Sequence, residues 1–333
     1  MTVTAVAPGR VNLIGDHTDY TGGLVLPMAI NLATVVTGQR GGDVVRLTSA
    51  GQTEEAVVPL DVSDPYSVQP EWARFVAGVV AILQPKQGFV GSVSSTIPVG
   101  SGLSSSAALE VAVAKALGFD GSNHELARLC QRAEQVASGV PCGIMDQLAS
   151  AAGIAGHALL INCHTLEIEP IPMPLAVDVV VIHSGQHRAL SGSAYAERTA
   201  QCTMAEDIVG PLRLITDVAA LGSIEDDTVH RRARHVVTEN ARVRAFAAAM
   251  KTGDYSRAGA LMVESHTSLR VDYNVSTPVL DTLVKRLIDT PGVLGARLTG
   301  AGFGGCVVAL TGPGVLSEGW RVRPAVGASL IAG

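Results

Sequence analysis

Apolar residues recur along this chain in two periods, and the polar chemistry collects where one period gives way to the other. Phe89, Val93 and Ile97 alternate with serines, the period-2 mark of a strand, while Ala107 to Leu117 is apolar nearly all round until Gly118 supplies a stop. A helical period follows Trp72 in EWARFVAGVVAIL, through Phe75, Val76, Val79 and Val80. Another helix is predicted from Asn123 to Gly139, with an Asn or Ser cap, Leu126, Leu129, Cys130 and Ala133 on one side, and glycine as its stop. Val11, Leu13 and Leu24 to Ile30 read as strands, and the wholly apolar run Ala176 to Ile182 as a central strand. Alternating Pro170, Pro172 and Pro174 mark the best boundary, giving units 1–170 and 171–333.

The junction at Ile97 to Glu110 reads IPVGSGLSSSAALE, a glycine turn and three hydroxyls between strand and buried helix. Gly100 and Gly102 let backbone approach an anion, and the free N–H groups and positive end of the helix favour phosphate there. Ser104, Ser105 and Ser106 add donors and a possible metal ligand. The loop is neither a Walker A, since no Lys follows the glycines, nor a dinucleotide fingerprint, since the third glycine is absent. Taken alone, it is equally a Gly/Ser turn before a core helix.

Composition narrows the field. With 333 residues and 47% hydrophobic content the chain can bury a large core and divide into two domains. A net charge of -6 with pI near 5.8 argues against a broad nucleic-acid or membrane-surface footprint. No apolar run reaches spanning length and no secretory n-region precedes an apolar core, so a cytoplasmic protein is expected. Cys130, Cys142, Cys163, Cys202 and Cys306 are odd in number and scattered without CxxC spacing, which points to buried thiols rather than disulfides or zinc.

Three further stretches carry candidate chemistry. APGRVNLIGDHTDYTGGLVLPMAIN, from Ala7 to Asn31, packs Arg10, Asp16, His17 and Asp19 into one loop between strands, a set able to grip sugar hydroxyls. Glu134 follows Leu126 and Cys130 at i+4 steps, an apolar row in which an unpaired carboxylate would cost several kcal/mol on the scale of a buried polar group, so a bound cation is a reasonable partner. Asp146 is delivered by a Pro/Gly turn onto the start of an apolar helix, where capping is its ordinary role. The arginine run from Arg231 to Arg244 reads as a solvated helix face.

Together these stretches resemble galactokinases, within the GHMP superfamily of galactose, homoserine, mevalonate and phosphomevalonate kinases. The likeness runs through the Ala7–Asn31 signature, the Ile97–Glu110 loop, VPCGIMDQLAS at Val140 to Ser150, RRARHVVTEN, MVESHTSLRVDY and LTGAGFGGCVVAL, all in the family's order over about the first 310 residues. It implies an α+β fold of two domains, one like domain 2 of ribosomal protein S5 and one ferredoxin-like, with ATP and sugar in the cleft between. It also implies transfer of the ATP γ-phosphoryl to the C1 hydroxyl of α-D-galactose.

Residue by residue, the resemblance puts Asp146 beside the anomeric hydroxyl with Arg10 as its charge partner. Asp16 and His17 hold the C6 hydroxyl, Asp19 the ring hydroxyls, and Gly143 and Tyr195 line the sugar. Trp72 stacks on adenine, a role that competes with plain core packing. Gly100, Ser101, Gly102, Leu103, Ser104, Ser105 and Ser106 cradle the phosphates, and Ser106 with Glu134 holds Mg2+. The expected partners are the sugar and ATP, with no nucleic acid or membrane, in a monomer or weak homodimer.

The chain departs from the pattern in three places. Asp16 stands where the family has Glu, and losing a charge-assisted hydrogen bond costs roughly 1.5–3 kcal/mol, so a C6-altered sugar such as arabinose, galacturonate or an amino sugar competes with galactose. Ala301 stands where the family has Gly, harmless at negative φ and damaging at positive φ. Only Thr311 to Gly319 separate Leu310 from the strand expected in WRVRPAVGASL, so a helix is missing, and an exposed sheet face or a self-association surface is expected. A catalytically silent galactose sensor, the remaining reading from another class, lacks the Ser-Ala pair that Ser106-Ala107 supplies here.

Overall fold

A computed structural model describes residues 2–98, 100–186 and 191–331, with the side chains of 191–193 left aside. The first half runs β1 (Thr2–Asn12), β2 (Leu24–Val25), β3 (Pro27–Arg40), β4 (Val44–Ser49), β5 (Ala56–Pro59), α1 (Ala73–Leu83), β6 (Phe89–Ser95), α2 (Ser105–Ala116), α3 (Asn123–Ser138), α4 (Met145–Ala152), β7 (His157–Asn162) and β8 (Ile168–Pro172). The second runs β9 (Asp178–His183), α5 (Ser191–Val209), α6 (Asp227–Thr252), α7 (Tyr255–Val271), α8 (Pro278–Ile288), β10 (Val293–Thr299), β11 (Cys306–Thr311), β12 (Trp320–Val322) and β13 (Ser329–Ile331).

Six strands form the first sheet in the order β13-β1-β3-β6-β4-β5, antiparallel except for the β4/β6 pair. Val36, Val45, Leu47 and Phe89 from this sheet share a core with Val76 and Val80 of α1, Val111 of α2 and Leu126 of α3. Burying one stripe of each helix against the sheet is what makes these periodic segments fold as they do. The second sheet, β10-β11-β9-β12, places its fourth strand beside its first and its third beside its second, all antiparallel, which is the ferredoxin-like order. A small third sheet, β2-β7-β8, joins the short β2 between β1 and β3 to the last two strands of the first half.

The helices start and stop where the sequence punctuates them. Ser122 caps α3 in a full capping box with Glu125, and Gly139 ends it at φ 70°. Proline does not interrupt β8, because Pro170 and Pro172 sit in the last strand of the third sheet, where a missing N–H costs little. A division at 170/171 therefore falls inside that strand, and β13 returns from the far end of the chain to pair with β1.

Three expectations need correction. WRVRPAVGASL is not one strand: β12 pairs with β9, a bridge joins Pro324 to Ile30, and β13 pairs with β1, so Pro324 and Gly327 break the segment and carry it from one sheet to the other. The missing helix exposes no sheet face among the described residues. Val180, Ile182, Val307 and Ala309 pack under α6 and α8, and Val181, Val308 and Leu310 pack against Phe246, Leu261 and Met28 on the other side. The arginine run is not a solvated face throughout, since Arg232, His235, Glu239 and Asn240 on α6 are buried. Of the five cysteines, Cys142 and Cys163 are only half-buried, so not all are the buried thiols expected. Among the described residues no helix is long and apolar enough to cross a membrane.

Helices α1 and α3 approach closely enough that a Cβ on Gly78 would lie 2.3 Å from the Ala133 carbonyl oxygen. Alanine normally stabilises a helix interior over glycine by about 0.5–1 kcal/mol. Here Gly78→Ala is expected to destabilise by about 1–3 kcal/mol, because the clash is with backbone. Urea unfolding of the two proteins decides; a stabilised variant would show that the helices are free to part.

Candidate active site

β1 carries a bulge where its register with β3 shifts between Pro8 and Arg10, and it sits at Gly9. A Cβ on Gly9 would lie 2.6 Å from the Leu103 carbonyl oxygen, so only glycine lets β1 touch the loop before α2. The bulge turns Arg10 onto that loop. Its backbone N–H donates to Leu103 O at 3.0 Å, and its Nη1 to Gly102 O at 2.6 Å. Its Nε donates to Asp146 Oδ1 at 2.7 Å, while Nη2 pairs with Oδ2. The result is a bidentate guanidinium–carboxylate pair of fixed geometry. Ser104 Oγ donates to the same Asp146 Oδ2 at 2.5 Å, so loop, arginine and acid form one unit.

The loop itself is bent by Gly100 and Gly102, at φ 73° and 72°, and by Ser104, a non-glycine residue at φ 61°. Ser104 stands at the N-cap of α2 yet makes no side-chain cap; α1 and α4, whose N-caps Trp72 and Ile144 cannot accept, also lack one, whereas α3, α6, α7 and α8 are each capped by a polar side chain. The first N–H groups of α2 are thus left for another acceptor, and the helix end is positive. Ser101 is buried and donates to Pro98 O at 2.7 Å, which staples the loop, and the Leu103 side chain is wholly buried in the core. Of the loop residues singled out from sequence, these two shape the cradle from behind. Ser105 and Ser106 face outward.

Two clefts flank this helix end, one lined by its Ser105 and Ser106 and the other by Asp146, which Ser104 holds. One, of about 550 Å³, is lined by Trp72, Phe75, Val93, Leu109, Ser105 and Ser106. The Trp72 indole N–H donates to Glu54 O at 3.2 Å, fixing a flat apolar wall. The other, of about 130 Å³, is lined by Arg10, Asp16, His17, Asp19, Gly143, Asp146 and Tyr195, with Glu134, Gly300 and Ala301 also at its edge. Gly143 belongs there for lack of a side chain, because its Cβ would fall 1.9 Å from Asp19 Oδ2. Tyr195, on α5, packs its ring 5.7 Å from His17 and 5.2 Å from Tyr20. The polar segment before α5 falls partly on residues 187–190, outside the described residues.

Family models match three stretches of the chain: the galactokinase galactose-binding signature over residues 2–40, the GHMP kinases N terminal domain over 74–154, and the GHMP kinases C terminal over 246–319. Galactokinase from Chloroflexus aggregans is 46% identical, with 93% of this chain and 84% of the relative covered. The chain belongs to the galactokinase family. Galactokinase from Bos taurus is 44% identical over 91% of this chain and 82% of its own. The crystal structure of Lactococcus lactis galactokinase complexed with galactose is similar at TM-score 0.89 and 32% identity, covering 98% of this chain and 95% of that one.

The departures from the galactokinase pattern now have a geometry. Ala301 is not among the described residues with positive φ, which fall instead at Gly300, Gly302 and Phe303, so its methyl is tolerated. Asp16 is almost wholly buried, with Oδ2 on Arg297 Nη2 at 2.5 Å and Oδ1 accepting from Gly300 N at 3.0 Å. His17 Nε2 lies 3.2 Å from Ala301 O, a pure acceptor, so Nε2 carries the proton and Nδ1 accepts from Tyr20 Oη at 3.1 Å. Both ring nitrogens already have protein partners. Burial holds the imidazole at about 3, neutral at any ordinary pH.

Glu134 accepts from Ser106 Oγ at 2.8 Å and from Gln147, and burial with the nearby Asp146 raises its carboxyl to about 7. Among the described residues no three acidic or thiol or imidazole groups cluster as a metal cage. One carboxylate and one hydroxyl beside a helix end that attracts phosphate nonetheless suit Mg2+, which keeps several waters and takes the rest of its ligands from phosphate oxygens. Sequence reasoning missed Arg297, Glu239, Glu110 and Gln147. A lone arginine in the apolar strand GARLT was the available signal for the first.

Asp19 carries a testable charge. Burial and the neighbouring Asp146 raise its carboxyl from 3.8 to about 7. Between these values the folded protein holds a proton that the unfolded chain has released, so Asp19's stabilising contribution is complete below about 4 and lost as pH rises through 7. The Tm of the ligand-free protein is therefore expected to fall as Asp19's contribution is lost between about pH 4 and 7, and to show no further change from this group above that. In Asp19→Asn, which cannot ionise, part of that fall disappears; identical pH profiles for the two proteins would refute the assignment.

Proposed function

We propose that this chain is an ATP-dependent galactose 1-kinase, which transfers the γ-phosphoryl to the C1 hydroxyl of α-D-galactose. The observation that carries the reading is the uncapped α2 N-terminus, which lies between the apolar Trp72 cleft and the pocket holding Asp146 and Arg10. Family membership and the likeness to a galactokinase complexed with galactose support it.

In this reading Trp72 and Phe75 receive adenine, and the Gly100–Ser106 loop with the α2 N–H groups takes the phosphates. The sugar occupies the smaller pocket between Asp19, Tyr195 and Asp146. Ser106 and Glu134 would hold Mg2+, which supplies charge neutralisation on the phosphate oxygens. Asp146 accepts a hydrogen bond from the C1 hydroxyl. Because a loose transition state leaves the proton in place until late, the carboxylate first orients that hydroxyl along the line of transfer and then receives its proton. Arg10 fixes the plane of the carboxylate and keeps it against Ser104. The residues 1–170 bear most of this machinery, and 171–333 close the sugar pocket with Tyr195, Gly300 and Ala301.

ADP release measured with and without sugar tests the reaction. Galactose should give the highest kcat/KM in a panel with arabinose, galacturonate, galactosamine and N-acetylgalactosamine; another sugar ranking first would overturn the substrate, and sugar binding without ADP would mean a sensor. Asp146→Ala should lower kcat by roughly 10²-fold or more, the usual reach of acid–base catalysis. Near-normal turnover in that variant removes Asp146 from the mechanism.

A further inference from the structure

From the kinase site inward runs a chain of four hydrogen-bonded side chains from three helices. Ser106 of α2 donates to Glu134 Oε1 on α3, Gln147 of α4 donates to Glu134 Oε2, and the same Gln147 amide donates to Glu110 Oε2 at 3.3 Å, one turn beyond Ser106 on α2. Glu110 and Gln147 are both wholly buried. Each is left with one oxygen lacking a partner, Glu110 Oε1 and Gln147 Oε1. Two bare acceptors in one buried pair, with the amide's two N–H groups already spent, present a specific defect, since a buried polar atom without a partner costs about 1–3 kcal/mol.

One proton repairs it. A hydrogen on Glu110 Oε1 turns that atom into a donor, and the acceptor it needs is the carbonyl of the amide to which Glu110 is already bound. We infer that Glu110 is a neutral carboxylic acid closed onto Gln147 as a cyclic acid–amide pair, and that this pair is a positioning device for Glu134. The acid fixes the amide, so the other N–H points at Glu134 Oε2 and leaves that carboxylate turned toward Ser106. The groups facing Glu110 agree: Glu134 and Asp146 are both acidic, Cys130 is a buried thiol, and among the described residues no cation stands against it. Burial and these neighbours push its own carboxyl far above the usual range. A negative charge here would instead compete with Glu134 for the same amide.

The inference rests on Glu134 being a magnesium ligand only for its kinetic consequence, and the experiment separates the two. Infrared spectra of the metal-free full-length protein at pH 8 should show a protonated carboxylic acid carbonyl band that is missing from Glu110→Gln. Absence of a difference band overturns the neutral acid, whatever Glu134 does. In kinetics, Glu110→Gln keeps a neutral planar group able to form the same cyclic pair, so its Mg2+ requirement should stay within about twofold of the natural protein. Gln147→Leu and Glu110→Leu should raise the Mg2+ concentration for half-maximal rate roughly 10-fold or more, the usual size for groups that orient a metal ligand, with the galactose KM little changed. A Glu110→Gln variant as impaired as Gln147→Leu would show that the charge of Glu110 is what matters and refute the pair. A carboxylic acid band present while every variant keeps the natural Mg2+ requirement would preserve the acid but overturn its positioning role.

Discussion

The site depends on a buried guanidinium. Arg297, at the middle of β10, is wholly buried, and its Nη2 meets Asp16 Oδ2 at 2.5 Å with Glu239 Oε1 4.0 Å away. Glu239 in turn accepts from Gly15 N at 3.0 Å and Ser265 Oγ at 2.5 Å, and pairs through Oε2 with Arg242 Nε at 2.7 Å. His235 reaches the Asp16 carbonyl, and Asn240 accepts from Leu24 N. The bonds of Gly15, Asp16 and Leu24 join the Gly15–Leu24 loop of the first half to α6 and β10 of the second, and Ser265, Arg242 and Arg297 brace Glu239 from within the second half. Burial works against the charge on Glu239, but Arg242, His235 and Arg297 together hold it at about 2. Removing one member of such a network leaves an uncompensated charge, which typically costs about 3–5 kcal/mol. The loop that carries His17 and Asp19 is therefore held at both ends, and His17 can be kept at φ 66°.

Among the described residues, that clamp leaves little positive charge where phosphate must go. Arg10 spends its guanidinium on Asp146 and the Gly102 carbonyl, and Arg297 is committed to Asp16. Around the α2 end stand Glu110, Glu134 and Asp146, three acids within one packed group. A nucleotide triphosphate can approach such a surface only if the helix end and a cation offset the repulsion. The uncapped N–H groups supply the first, and the Glu134–Ser106 pair is suited to recruit the second. Protonation of Glu110 would lower the repulsion further without adding a cation.

Much of this was legible in the sequence because the motifs are short loops whose glycines and acids act locally. The α2 helix, its glycine-bent entry, the α3 capping signal and the delivery of Asp146 all follow from neighbours in the chain. What was not legible depends on residues far apart. Arg297 stands alone in an apolar strand, and only the packing of β10 against the Asp16 loop, 281 positions away, shows its partner. The shortened tail suggested a bare sheet face, but whether a face is bare depends on where α6 and α8 pack, not on how many helices the chain has. In WRVRPAVGASL the proline and glycine were visible, yet their role in handing the chain from one sheet to another needed both sheets in view.

The exchange of Glu for Asp at position 16 has a physical reading that the sequence lacked. A side chain one methylene shorter could leave an empty place beside the sugar or could draw its carboxylate back into the fold. Here it is drawn back, since both oxygens bind Arg297 and Gly300 N, and His17 is likewise engaged at both nitrogens. Groups already satisfied by the protein give a ligand less than free ones, because each new hydrogen bond must share or replace an existing one. On the proposed reading, the weight of sugar recognition then shifts to Asp19, half-buried and without a cationic partner among the described residues, to the space that Gly143 leaves beside it, and to the Tyr195 ring. Asp16 and His17 act as the rigid wall behind these three, and the rigidity comes from Arg297.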